Sequence, residues 1–235
     1  MENFFVVLGG MGTMATESFI HLLNQRTPAN KDQDYLNYIV CNHASIPDRT
    51  AFILQQSKED PYPVLQEDII SLQPLHPRFF VLTCNTAHYF YERLQESSIV
   101  PILHMPRIAA HVVAKKAQGE KKRVMILATS GTIQSKVYHQ ELESYPNLEI
   151  CIPDAELQKE VMGLIYDDIK EKDWMNEARY HQILQRAKEE YHCDYMILGC
   201  TELSLIEEKC PNHPYEVIDA QSELVNQVLV EMKKK

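Results

Sequence analysis

The chain has 235 residues, 45% of them hydrophobic, and a formal net charge of −10. That length and apolar content argue against a disordered polypeptide and allow a sizeable core. The negative balance disfavours broad electrostatic binding to nucleic acid, because compact basic clusters are confined to Lys115 and Lys116, Lys121 to Arg123 and the tail Lys233 to Lys235.

The opening MENFFVVLGG has no positive segment ahead of its short apolar run, so it makes a poor secretion signal. No apolar stretch approaches the length that spans a bilayer, and cytoplasm is the expected location. Cys41, Cys84, Cys151, Cys193, Cys200 and Cys210 contain no CxxC pair. In a reducing compartment they are expected as thiols, and an orthodox thiol redox site is disfavoured.

In chain order, the apolar run Phe4 to Leu8 ends in Gly9 and Gly10, and Ala15, Phe19, Leu22 and Leu23 then mark one apolar helix face. Strand, glycine turn and helix open a βαβ unit. Further strands are predicted at Tyr38 to Cys41, Phe79 to Leu82 and Ile99 to Leu103, with helices around Val64 to Leu72, Ala87 to Glu96 and Ile108 to Ala117. The segment QGEKKR reads as a boundary.

The pattern then restarts. Val124 to Leu127 predicts a strand, residues 128–132 a turn, Ile133 to Leu142 a helix and Leu148 to Ile152 a strand. Helices around Leu157 to Ile169 and Glu177 to Tyr191 lead to a strand over Tyr195 to Leu198, and a last helix runs near Leu224 to Met232. The glycine turn after the first strand is matched by Ser130 to Thr132, and Cys84 to Thr86 by Cys200 to Glu202. The expected fold is therefore α/β, with two similar lobes, parallel-sheet cores and a functional cleft between them. Residues 1–113 form the first lobe, with 214–235 packing back on it, and 114–213 form the second.

Cys84 and Cys200 each follow an apolar strand, where an open parallel sheet presents its carboxyl ends to ligand. If Asn85 and Thr86 begin a helix, its N–H groups would favour both a thiolate and a bound carboxylate. Either cysteine alone equally fits a buried residue closing a core strand. The matched polar residues after both favour a functional pair. Two opposed thiols suit reversible proton transfer at a carbon, one removing a proton from one face while the other supplies one to the opposite face.

Backbone donors at Gly10, Met11, Asn85 and Thr86, with the Ser130 and Thr132 hydroxyls, are candidates for holding substrate carboxylates. The GGMG run is weak by itself and lacks the full GxGxxG pattern. Arg49 suits a bidentate carboxylate contact, although read without its motif it more readily fixes its loop through Asp48. Lys170 is either a second such cation or a solvated helix-end residue. His88, one helical turn after Cys84, either polarises the site or packs its helix. Glu202 either orients and helps protonate Cys200 or caps a helix start. No compact metal-ligand arrangement is visible.

These stretches together resemble the aspartate/glutamate racemase family, and within it the cofactor-independent aspartate racemases. The resemblance is carried by LGGMGTMAT at 8–16, NHASIPDRT at 42–50, TCNTAH at 83–88, LATSGT at 127–132, QKEVMGLIYDDIK at 158–170 and LGCTE at 198–202. It covers essentially the whole chain. It implies a two-lobed, commonly homodimeric enzyme that interconverts L- and D-aspartate with neither cofactor nor metal. It further implies Cys84 and Cys200 as the opposed bases and Arg49 and Lys170 as partners of the distal carboxylate. The polar turns, Thr201 among them, would contact the amino-acid head group. Thr13 and Thr83 stand where the family often has proline, which touches turn rigidity and leaves the reacting atoms intact. Glutamate or broad-specificity racemisation is the alternative on the same scaffold, and a non-catalytic small-anion-binding protein the alternative of another class.

Overall fold

The computed structural model describes residues 1–234. Its first half runs β1 (Phe4–Gly9), α1 (Thr13–Arg26), β2 (Asn37–Asn42), α2 (Arg49–Ile53), α3 (Tyr62–Leu72), β3 (Phe80–Leu82), α4 (Tyr91–Glu96), β4 (Ile102–Leu103) and α5 (Met105–Ala117). The second half runs β5 (Lys122–Ala128), α6 (Ser130–Ser135), α7 (Val137–Leu142), β6 (Leu148–Cys151), α8 (Ala155–Gly163), α9 (Glu177–Glu189), β7 (Tyr195–Gly199), α10 (Thr201–Lys209), β8 (Val217–Asp219) and α11 (Ala220–Lys233).

The strands form two four-stranded sheets, ordered β2-β1-β3-β4 and β6-β5-β7-β8. Every pairing is parallel. All six residues of β1 are buried, which is why it reads as a continuous apolar run: parallel strands are covered on both faces. Phe5 and Val7 point into a central core with Val124, Ile126 and Ile197 of the second lobe. Phe4, Val6 and Leu8 face an outer core with β3 and α3 side chains, and Met125 and Leu127 face a third with α8 and α9. The two lobes thus share their innermost apolar layer, and Leu224, Val225 and Val228 of α11 belong to it. Within the segment 214–235, β8 pairs with β7 in the second sheet, while α11 packs against α1 and α5.

Several predicted elements change shape for local reasons. The strand expected from Ile99 shrinks to two residues because Pro101 has no N–H for the ladder and only its carbonyl pairs, with Phe80. The helix expected over 133–142 breaks at Lys136, whose φ of 58° is left-handed, leaving α6 and α7. The helix expected at Ala87 opens as a 3₁₀ turn over Thr86–Phe90 before α4. Three elements had no predicted span in the sequence, α2, α10 and β8, although a helix start was weighed at Glu202.

After α8 the helix widens into a π-helical stretch, Leu164–Lys170. Its buried Asp168 accepts hydrogen bonds from Arg179 Nη1 at 2.8 Å and Asn176 Nδ2 at 2.9 Å. Gly163 leaves room for that guanidinium, which a Cβ would meet at 2.9 Å. Such widened turns are uncommon and recur at functional sites. This one carries Tyr166 and Lys170 toward the first lobe.

Removing the Arg179 charge should leave the Asp168 carboxylate buried with weaker partners. Arg179→Met is expected to cost about 2–4 kcal/mol of stability in urea unfolding, and a loss below about 0.5 kcal/mol would show that the ion pair does not hold the π-helical stretch.

Candidate active site

Residues that follow the carboxyl ends of strands in both sheets meet at one seam. Four threonines close it with hydroxyl contacts. Thr50 donates to Thr129 at 3.1 Å; Thr86 lies 3.1 Å from Thr129 and 2.8 Å from Thr132; Thr129 and Thr132 are 3.1 Å apart. Two of these side chains come from each lobe, so the seam is polar yet internally satisfied. Gly131 permits the closeness, since a Cβ there would meet the Thr50 backbone at 2.8 Å.

Inside the seam lies one cavity, lined from the first lobe by Met11, Arg49, Cys84, Asn85 and Thr86 and from the second by Tyr166, Lys170, Cys200, Thr201 and Glu202. Asp48, Thr50 and Thr129 complete the wall. Both cysteines are 5% exposed. Cys84 lies two residues beyond the end of β3, ahead of the 3₁₀ turn, and Cys200 is the N-cap residue of α10.

The surroundings of the two thiols differ. Cys200 donates from Sγ to Glu202 Oε2 at 2.9 Å. Burial, then the Glu202 charge, push the Cys200 thiol well up from its ordinary value, against the pull of Lys170. Cys84 stands beside the Arg49 guanidinium. Burial works against the Arg49 charge, but Cys84 and Asp48 outweigh it and raise its pKa. Arg49 is held by carbonyls, donating from Nη2 to Met11 at 2.7 Å and from Nη1 to Pro47 at 3.1 Å. Its Nε is buried with no partner.

Lys170 is 3.5 Å from Glu202 Oε1, and its ammonium lies 4.5 Å from the Tyr166 ring centroid. Burial lowers its pKa, but Glu202, Cys200 and Tyr166 raise it further, so the side chain is cationic at neutral pH. Two cations, two thiols and two carboxylates therefore converge on a space that leaves about 10 Å³ for water-sized molecules, roughly one water. A larger pocket of about 410 Å³ adjoins it and shares Met11, Arg49, Lys170 and Glu202 as a common wall.

Of the residues expected from the sequence, Met11, Arg49, Cys84, Asn85, Thr86, Lys170, Cys200, Thr201 and Glu202 meet at the cavity. Gly10 lines the adjoining pocket, at a φ of 87° where a Cβ would lie 2.5 Å from His43. Ser130 and Thr132 do not line the cavity: Ser130 Oγ accepts from Gln158 Nε2 at 3.2 Å, and Thr132 stands behind Thr86 in the threonine seam. His88 faces away, its Nδ1–H donating to the Cys84 carbonyl at 2.8 Å and its Nε2 accepting from Met105 N–H at 3.1 Å. Both nitrogens are thereby committed to backbone, and the ring ties the Cys84 strand end to the start of α5.

Thr50, Thr129 and Tyr166 were not singled out from the sequence. Thr129 sits in the recognised 128–132 turn and caps α6, a signal that was available. Tyr166 had none beyond its motif. Among the described residues, no group of three or more His, Cys, Asp or Glu side chains is arranged to hold a metal ion.

A match to the family described as Asp/Glu/Hydantoin racemase spans residues 8–228. The broad specificity amino-acid racemase RacX of Bacillus subtilis is 27% identical over 208 residues, covering 85% of this chain and 86% of that protein. The solved Picrophilus torridus aspartate racemase superposes with a TM-score of 0.80 at 29% identity, covering 99% of this chain and 95% of that one. A glutamate racemase from Francisella tularensis, in complex with D-glutamate, shares the fold at a TM-score of 0.70 and 18% identity over 97% of this chain and 80% of its own.

Burial lowers the His88 pKa to about 4, below its unfolded value near 6.5. The depressed folded pKa means that stability present above pH 6.5 is lost as pH falls toward 4, by about 3 kcal/mol for a fully buried ring. Urea unfolding at pH 7.5 and pH 4.5 should show this loss in the native chain and a smaller one in His88→Gln. Equal pH dependence in both would rule out His88 as its source.

Proposed function

The chain belongs to the Asp/Glu/Hydantoin racemase family, and from that premise we propose that it interconverts L- and D-aspartate by two-thiol proton transfer. The observation that carries this reading is the convergence of Cys84 and Cys200, from opposite lobes, on one small cavity whose wall also holds Arg49 and Lys170. An amino acid with a second carboxylate fits that charge pattern. Arg49 and Lys170 take the distal carboxylate, and Asn85, Thr86 and Thr201 surround the α-carboxylate.

In one direction the thiolate on one side takes the α-hydrogen as a proton, leaving its electron pair on Cα. The thiol on the opposite side then gives its proton to the other face of that carbon, becoming the thiolate. The reverse reaction exchanges the roles, and the net result is inversion with no change in composition. Glu202 supports the Cys200 side, because it already receives the thiol hydrogen and competes with the cavity for Lys170.

The small free volume supports water exclusion around the developing carbanion, where the positioned donors act most strongly. It also requires the wall to part for entry. The adjoining pocket, bounded by the same Arg49, Lys170 and Glu202, is the route we assign to that step. The same reading includes turnover without an added cofactor, a homodimeric assembly and a cytoplasmic location. Glutamate is longer by one methylene, a difference worth only about 1–3 kcal/mol in an apolar pocket, so relative turnover of the two acids decides between aspartate and broader specificity.

Cys84→Ala and Cys200→Ala should each lower racemisation by at least about 1000-fold, with aspartate affinity by calorimetry changed less than about threefold. Chiral chromatography in deuterated buffer reads the stereochemical change and α-deuteration together. Near-normal turnover in both single variants would falsify the two-base reading.

A further inference from the structure

Tyr138, in the first turn of α7, reaches across the seam from the second lobe. It is 1% exposed, and its hydroxyl donates to Asn85 Oδ1 at 2.5 Å. Its ring lies against Gly199, where a Cβ would meet it at 2.9 Å. A glycine ahead of Cys200 therefore makes room for a tyrosine that touches the residue after Cys84. Burial raises the phenol's pKa well above its ordinary value, so the hydroxyl keeps the hydrogen it donates.

The other end of the Asn85 amide is the informative one. Asn85 is 2% exposed and lines the cavity. Its Nδ2 is buried with no partner in the protein. A buried donor without an acceptor is costly, and an amide free to turn would exchange its two ends. With Oδ1 held by Tyr138, rotation would make the hydroxyl accept from Nδ2 instead, leaving the phenol hydrogen without an acceptor and turning Oδ1 into the cavity.

We propose that Tyr138 is a positioning residue that fixes the Asn85 amide with its NH₂ toward the carboxylate of the substrate. The inference rests on the reading of the cavity as an amino-acid site. Once Tyr138 is lost, the amide has two orientations, and the wrong one presents an oxygen to an anion. The chemical class recognised is a carboxylate, and the effect lies in binding rather than in the proton transfer carried by the thiols.

The test is a double-mutant cycle with Tyr138→Phe, which keeps the ring against Gly199, and Asn85→Ala. Tyr138→Phe should raise KM for aspartate about tenfold, the scale of one net hydrogen bond, with kcat changed by less than about threefold. In the Asn85→Ala background the same change should move KM less than about twofold, because the group it orients is gone. The calorimetric affinity for succinate, which requires no turnover, should follow the same cycle.

Asn85→Asp offers a second reading, since it keeps an acceptor for Tyr138 but replaces the donor. It should weaken succinate by over about 100-fold, from like-charge repulsion in a dry site, while the melting temperature stays near that of the native chain. Equal effects of Tyr138→Phe in both backgrounds, or an unchanged succinate affinity, overturn the proposal. If aspartate is not racemised but the succinate cycle is non-additive, the functional reading fails and the role of Tyr138 stands. If the native chain binds no dicarboxylate, both fall.

Discussion

Parallel pairing makes every strand of a sheet finish at the same edge, and the rest of this architecture depends on that constraint. In each lobe the carboxyl ends of the two central strands deliver the chemistry: β1 leads to Met11 and β3 to Cys84, while β5 leads to Thr129 and β7 to Cys200. The shared apolar layer between the lobes, completed by α5 and α11, fixes how those two edges meet. The polar contacts at the seam are then consequences. Once Thr50, Thr86, Thr129 and Thr132 are brought into a buried interface, their hydroxyls must satisfy one another, because water is excluded.

The cavity balances its charges, Arg49 and Lys170 against Asp48 and Glu202, within a molecule that carries an excess of acid. A chain of net charge −10 concentrates Arg49 and Lys170 around its two buried thiols. Neither cation is fully neutralised where it stands. Arg49 donates mainly to carbonyls, and Lys170 shares Glu202 with the Cys200 thiol. A buried arginine bonded to neutral oxygens keeps its positive field directed at whatever enters. The thiols consequently occupy unlike environments, one beside a guanidinium and the other bonded to a carboxylate, although the folds around them repeat.

Much of this was legible in the sequence because it was written locally. Strands covered on both faces appear as apolar runs, so β1, β3, β5 and β7 were placed within a residue or two, and the polar residue after each cysteine marked a strand end meeting a turn. Arg49 and Lys170 came from motif resemblance, since by composition alone each reads as an ordinary surface or loop cation. What escaped was set by distant contacts. The π-helical widening depends on Asp168 meeting Arg179 and Asn176, β8 is only three residues long, and the break at Lys136 has no glycine to announce it. Tyr138 reads as one apolar position on a short helix, and its polar end matters only through Asn85, 53 positions away.

The unpaired groups supply a further argument about what the cavity accepts. Two buried side-chain nitrogens at its wall have no partner in the protein, Arg49 Nε and Asn85 Nδ2. Both are donors, and each belongs to a side chain whose other polar atoms are firmly engaged. Leaving buried donors unsatisfied opposes folding by about 1–3 kcal/mol apiece. A site shaped only for stability would have turned them toward the carbonyls nearby. Carried by different side chains on a wall that also holds Lys170, they favour a ligand with more than one acceptor. A dicarboxylate has that form, and its binding would recover the interactions that the closed protein forgoes.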